Sequence, residues 1–194
     1  SAGLLSPPET TKSTIRKLHA HQRQAKLRKN AIFAQENWDL FKDSIANGDE
    51  IEPEKIDLKL IQIETGSKEG SLFRMASLSW SVPVSNGFGR RLRFLIWDQY
   101  QGKLAGIAAL GDPVFNLSVR DQEIGWDAKE RGERLCNVLD AYVLGALPPY
   151  NLLLGGKAIA CMLRSRDVFD AFSAKYGLKH GLISKKRKKP KLLA

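Results

Sequence analysis

The chain has 194 residues, 43% of them apolar, and its 31 Lys and Arg against 21 Asp and Glu leave a net charge of +10. That length suits one main domain, which buries about two-thirds of the surface its unfolded form exposes. No run of 18 apolar residues occurs and Ser1-Ala2-Gly3 reads as a trimmed start rather than a signal peptide, so the expectation is a soluble, cytoplasmic protein with no membrane partner.

From the N-terminus, Ser6-Pro7-Pro8-Glu9 reads as a loop. Thr10, Thr11, Ser13 and Thr14 then offer N-caps for a stretch free of Gly and Pro as far as Asn47-Gly48, which predicts helix with a stop there. Its first half has only a thin apolar stripe, Ile15, Leu18, Ala25 and Leu27, as expected of a helix that rests on a partner. Trp38, Phe41 and Ile45 recur at helical spacing and should dock the second half on the core. Ile56 to Ile61 reads equally as helix or strand. Leu72, Arg74, Ala76, Leu78 and Trp80 lie on one side of a period-two pattern, which predicts a strand ending at Pro83.

Residues 92–97 and 103–110 are apolar runs around Asp98-Gln99-Tyr100-Gln101-Gly102 and predict a β-hairpin. A loop follows at Gly111-Asp112-Pro113. Asp127 to Val138 reads as a helix with an acid at its start. Asp140 to Leu147 reads as a buried strand closed by Pro148-Pro149. Residues 155–163 read as a helix entered through two glycines, and Ser165 or Asp167 starts another that stops at Gly177. This order predicts an α+β or three-layer α/β fold, a mixed central sheet with flanking helices. The chain divides into a basic helical segment over 1–50, a core over 51–184, and a basic tail or connector over 185–194.

The positive charge is concentrated. Residues 12–29 hold Lys12, Arg16, Lys17, Arg23, Lys26, Arg28 and Lys29 with no acid, and residues 185–191 hold six basic side chains in seven positions. The remaining 18 basic and 21 acidic residues leave the body slightly acidic. Such blocks attract phosphate backbones through counterion release without reading bases. The bland alternative is a solubilising tail and a solvated helix face.

Several blocks stand in a consistent order: Trp80-Ser81-Val82-Pro83; Gly87-Phe88-Gly89-Arg90-Arg91 running into Trp97-Asp98; Gly102-Lys103-Leu104-Ala105-Gly106; and Val119-Arg120-Asp121 with Ile124-Gly125-Trp126. They close with Asp140-Ala141-Tyr142 running through Leu147-Pro148-Pro149-Tyr150-Asn151 to Gly155-Gly156-Lys157. In this order they resemble the DruA family, over roughly residues 10–180. The resemblance implies a bacterial protein of Druantia anti-phage defence, working beside other defence-system proteins that include a helicase, and it supplies no catalytic mechanism. Proteins of this kind continue past the basic tail into a Thr/Ser-rich segment and a further structured portion, so a site that needs that portion is incomplete within these residues.

The strand from Tyr142, the loop at 148–154 and the helix opening at Gly155-Gly156-Lys157 also resemble the acyl-CoA pyrophosphate loop of GNAT-type acetyltransferases. A helix start bared by glycine offers amides and a positive dipole end to phosphate, and Lys157 adds a full charge. Tyr150 and Asn151 flank it as candidate ligand contacts. It is not a Walker A loop, because no Ser or Thr follows Lys157. The same glycines also suit close strand–helix packing, and a cofactor would require the Tyr142 strand to splay from its neighbour.

Arg90 and Arg91 point to opposite faces of an extended chain, so one is free to contact phosphate even if the other guards an exposed sheet edge. Arg120-Asp121 reads as an ion pair anchoring a loop, or as part of a pocket with Trp126. Asp98, Asp121 and Asp140 have no spacing that demands a metal, and neither do Cys136, Cys161, His19, His21 and His180, so no metal site is expected. The leading reading is a defence component that binds nucleic acid through Arg16, Arg23, Lys26, Arg90, Arg91, Lys185, Lys186, Arg187, Lys188 and Lys189. The rivals are an acyl-CoA-dependent transferase of GNAT type and a scaffold for defence-complex subunits. Whether the protein is an enzyme stays open.

Overall fold

The computed structural model describes residues 11–84, 89–153, 155–177 and 190–193. The Gly- and Pro-free N-terminal stretch forms four helical pieces, α1 (Lys12–Leu18), α2 (Ala20–Lys29), α3 (Ala31–Glu36) and α4 (Trp38–Ser44). Thr11 caps α1 by accepting from the Thr14 amide at 3.3 Å. The joints are single residues, and at Asn30 and Asn37 the amide still reaches the carbonyl four residues back, at 3.1 Å in each case. Both asparagines turn their side-chain amides onto that same carbonyl, which draws φ out to −106° and −108° and bends the ladder.

No residue of α1 or α2 is buried. Phe41 and Ile45 pack on the core as expected, but Trp38 is 55% exposed, because the joint at Asn37 interrupts the stripe that one continuous helix would carry. The helix ends at Ser44, ahead of the expected stop. Asn47 instead caps a 3-10 turn, Gly48–Glu50, through a reciprocal box with Glu50.

The ambiguous segment is a strand, β1 (Leu58–Gln62). The strand expected next is a helix, α5 (Lys68–Leu78), opened by the Ser67 hydroxyl accepting from the Gly70 amide. Its buried Leu72, Phe73, Met75, Ala76 and Leu78 recur at three- and four-residue steps. Leu72 and Ala76 satisfy both the strand and the helix period, and Phe73 and Met75 break the alternation.

The hairpin forms as read, β2 (Arg91–Asp98) with β3 (Lys103–Gly111). Two helices follow, α6 (Ser118–Ile124) and α7 (Ala128–Arg134), the second capped by Asp127 in a reciprocal box with Glu130. Beyond β4 (Asp140–Ala146) the expected loop is partly helical, α8 (Tyr150–Leu153), ahead of α9 (Gly155–Met162) and α10 (Arg166–Tyr176).

The strands order as β1-β2-β3-β4, and the fold is α+β as expected. All three ladders are antiparallel, where a mixed sheet was expected, because strands adjacent in the chain are also adjacent in the sheet. One face carries Phe94, Ile96 and Ala108 against Tyr150, Ile159, Val168 and Phe172. The other carries Leu95, Ile107 and Ala109 against Leu72, Phe73 and Ala76 of α5. Both faces of β2 and β3 are therefore covered, which is why these strands read as continuous apolar runs rather than alternating ones.

Residues 190–193 return to this body. The amides of Lys191 and Leu193 donate to Asn137 Oδ1 (3.0 Å) and Asn137 O (2.9 Å), and Leu192 enters the core at 7% exposure.

Candidate nucleic-acid interface

Arg16 and Arg23 stand on the same side of the α1–α2 rod, two turns apart. With Ala20, Gln24 and Ser81 they line a depression of about 190 Å³. Both side chains are exposed, and neither has a carboxylate or carbonyl partner among the described residues. Lys26, one turn further, is used differently: its Nζ donates to Val84 O at 3.0 Å, and partial burial lowers its pKa from the ordinary lysine value. The rod is fixed again at the next joint, where Arg74 of α5 donates to Asn30 Oδ1 from Nε (3.0 Å) and Nη2 (2.6 Å). The Arg74 guanidinium lies 3.7 Å from the Phe33 ring centroid. The rod is thus tied down at its C-terminal end by Lys26 and by Asn30, while Arg16 and Arg23 lie about one to three turns before the first of those ties.

Arg90 and Arg91 part company as opposite sides of a strand require. Arg90 is occupied by the protein itself: Nε reaches Asp112 Oδ1 at 2.7 Å, Nη1 reaches Cys136 O at 2.6 Å, and the guanidinium sits 5.2 Å from the Phe172 ring. It ties β2 to the end of the α7 segment. Arg91 lies 4.2 Å from the Tyr142 ring centroid, and its Nε is buried without a hydrogen-bond partner among the described residues. Lys185, Lys186, Arg187, Lys188 and Lys189 lie outside the described residues.

At the glycine-opened helix, Asn151 and Lys157 are exposed. A Cβ on Gly155 or Gly156 would meet nothing within 4 Å, so these glycines are not there for close packing; Gly155 is needed for its φ of +59°. Tyr150 is no part of this surface. It is wholly buried, and its hydroxyl donates to Asp98 Oδ2 at 2.8 Å; burial first, then that bond and the charge of Asp98, push its pKa up. The strand that would have to splay stays paired, with β4 in register with β3 from Gly106↔Ala146 to Gly111↔Asp140 across one irregularity.

Asp98 is also wholly buried, and its Oδ1 accepts from the amides of Asp57 and Tyr100, both at 3.1 Å. It shapes the hairpin turn. Asp140 is paired with Gly111 at the opposite end of the sheet, about 24 Å away at a strand rise of about 3.4 Å per residue, so these two carboxylates do not converge. Asp121, 5% exposed, accepts from Arg120 Nη2 at 2.7 Å and from Arg131 Nη1 at 2.9 Å. Arg120 also donates to the carbonyls of Val114 and Phe115, so the cluster fastens the loop before α6 to α7, as the ion-pair reading expects.

The Arg131 hydrogen bond first, and then Arg120, hold the Asp121 carboxyl below the usual carboxylate range. The unfolded chain then takes up a proton that the folded chain refuses. The stability from this cluster is fully present above about pH 5 and is lost as the pH falls through the folded value. Urea unfolding of Asp121→Asn should therefore show a deficit against the parent at pH 7 that shrinks towards pH 3; a constant deficit would refute the assignment.

A family model described as Druantia protein DruA matches residues 9–194, which takes in the basic rod and the second basic block. The chain belongs to the DruA family. One curated DruA relative, the Druantia protein DruA of Escherichia coli (strain UMEA 4076-1), is 53% identical over 193 residues, covering 100% of this chain and 48% of the relative. The chain thus spans about half the length of that DruA protein. No solved structure matches. Among the described residues, no helix is long and apolar enough to cross a membrane.

Proposed function

We propose that this DruA-family chain serves in Druantia-type anti-phage defence and holds nucleic acid by its phosphate backbone, through the α1–α2 rod. The observation that carries this reading is the pair Arg16 and Arg23, exposed on one side of a rod with no buried residue and with no partner for either guanidinium among the described residues. A guanidinium fork suits phosphate oxygens, and contacts of this kind select for charge rather than sequence. Lys17, Arg28 and Lys29, all exposed on the same rod, add to the field.

Fluorescence anisotropy with labelled duplex DNA, single-stranded DNA and RNA tests it. Binding at 50 mM salt should weaken at least about tenfold at 200 mM, as counterion release at three or more phosphates requires. An affinity that ignores salt, or no binding at 50 mM, would overturn the proposal.

A second reading, docking of another defence subunit, is favoured by a separate observation. Val114, Phe115, Leu117, Val119 and Ile124 are all exposed around α6. Apolar clusters of that kind mark interaction sites more often than scattered single residues do.

A further inference from the structure

The C-terminal segment forms one side of a second basic depression, remote in sequence from the rod. It is open to solvent, measures about 440 Å³, and is lined by Arg164, Arg166, Phe169, Asp170, Ser173, Lys191 and Leu192. The α10 residues among these fall at i, i+3, i+4 and i+7, so one helix face makes one wall. The opposite wall is held by the hydrogen bonds from Lys191 and Leu193 to Asn137 and by the burial of Leu192, which fix the backbone that carries the Lys191 ammonium.

Three cations face one carboxylate here, and that carboxylate is already engaged: Asp170 Oδ1 takes the Arg166 Nε at 3.1 Å. Arg164 and Lys191 are left without an acidic partner among the described residues. Between the two arginines, Ser165 stands at the N-cap of α10 but makes no capping bond, and its buried hydroxyl has no partner among the described residues, which leaves Asp167 as the acid of that first turn. Phe169 supplies a ring beside these charges, partly buried against the core and therefore held in place.

From this combination we infer that the depression binds a nucleotide unit, its phosphate on Arg164 and Lys191 and its base against Phe169. Charged forks together with an aromatic platform are what single nucleotides and single strands require, whereas a simple anion needs only the charge. The unit can come from a free nucleotide or from a strand. The site shares no lining residue with the rod and does not rest on the rod's role.

Calorimetry with AMP and with ribose 5-phosphate, and anisotropy with a labelled twelve-residue oligothymidylate, test it on the full chain. Arg164→Ala/Lys191→Ala should weaken AMP or the oligonucleotide at least about tenfold, as loss of two charge-assisted contacts implies. Arg16→Ala/Arg23→Ala should leave AMP binding unchanged, which separates this site from the rod. Ribose 5-phosphate should bind about fivefold or more weakly than AMP, the share expected of base stacking. AMP displacing the oligonucleotide would identify a strand as a source of the unit, and AMP bound without competition would identify the free nucleotide. Neither ligand responding to Arg164→Ala/Lys191→Ala would overturn the proposal, and so would ribose 5-phosphate binding as tightly as AMP.

Discussion

Asp98→Ala should destabilise the protein by about 3–5 kcal/mol, because it leaves the buried Tyr150 hydroxyl and two part-buried amides without their acceptor at once. The Tyr150 hydroxyl loses its 2.8 Å bond, and the amides of Asp57 and Tyr100 lose theirs, in a pocket where both Asp98 and Tyr150 are wholly buried. The hairpin turn, the entry to β1 and the first residue of α8 are joined through this one carboxyl group. Tyr150→Phe removes a single bond to the same group and should cost about 1.5–3 kcal/mol, the range for hydrogen bonds to charged groups. Urea midpoints with an unchanged m-value measure both. Were Tyr150 a surface contact for a ligand, its replacement by Phe would leave the midpoint where it was.

Gly106→Val should be nearly as damaging, about 3 kcal/mol or more, since overpacking a dense core forces backbone apart. A Cβ there would lie 2.8 Å from Gly145 O and 3.0 Å from the Ile159 side chain, and the first of these is main chain with nowhere to go. Gly106 is where α9 presses on the β3–β4 ladder. Gly156→Ala is the matched control, because its Cβ meets nothing within 4 Å and α9 gains a better helix former. Thermal unfolding should place that variant at or slightly above the parent. If Gly156→Ala fell as far as Gly106→Val, the packing described around Gly106 would not be the cause.

Much of the local structure was legible in the residues. The hairpin around residues 98–102, the Asp127 cap and the α9–α10 pair all carry their signals within a few positions. α5 reads as a strand because Leu72, Ala76 and Trp80 fit both periods, and the deciding evidence, burial of Phe73 against the sheet and of Met75 off the alternation, is tertiary. Tyr150 looked like a loop residue after two prolines, yet its partner Asp98 lies 52 positions away. Arg90 was a candidate contact from its glycine-flanked run, and Asp112, 22 positions on, takes it into the structure. Charge patterning did point to Arg16 and Arg23. It was silent on Ser81 beside them, and on the depression that brings Arg164 to Lys191, because each joins distant stretches of chain.

The slope of log affinity against log salt, compared between the parent and Arg16→Ala/Arg23→Ala, bears most directly on the proposed grip on a phosphate backbone. Each lost phosphate contact on duplex DNA removes about 0.9 from that slope, so the double variant should be shallower by about 2. Both changes lie at exposed positions of a rod with no buried residue, so folding should be unaffected. Parallel lines for the two proteins would show that these arginines meet no phosphate and would contradict the account.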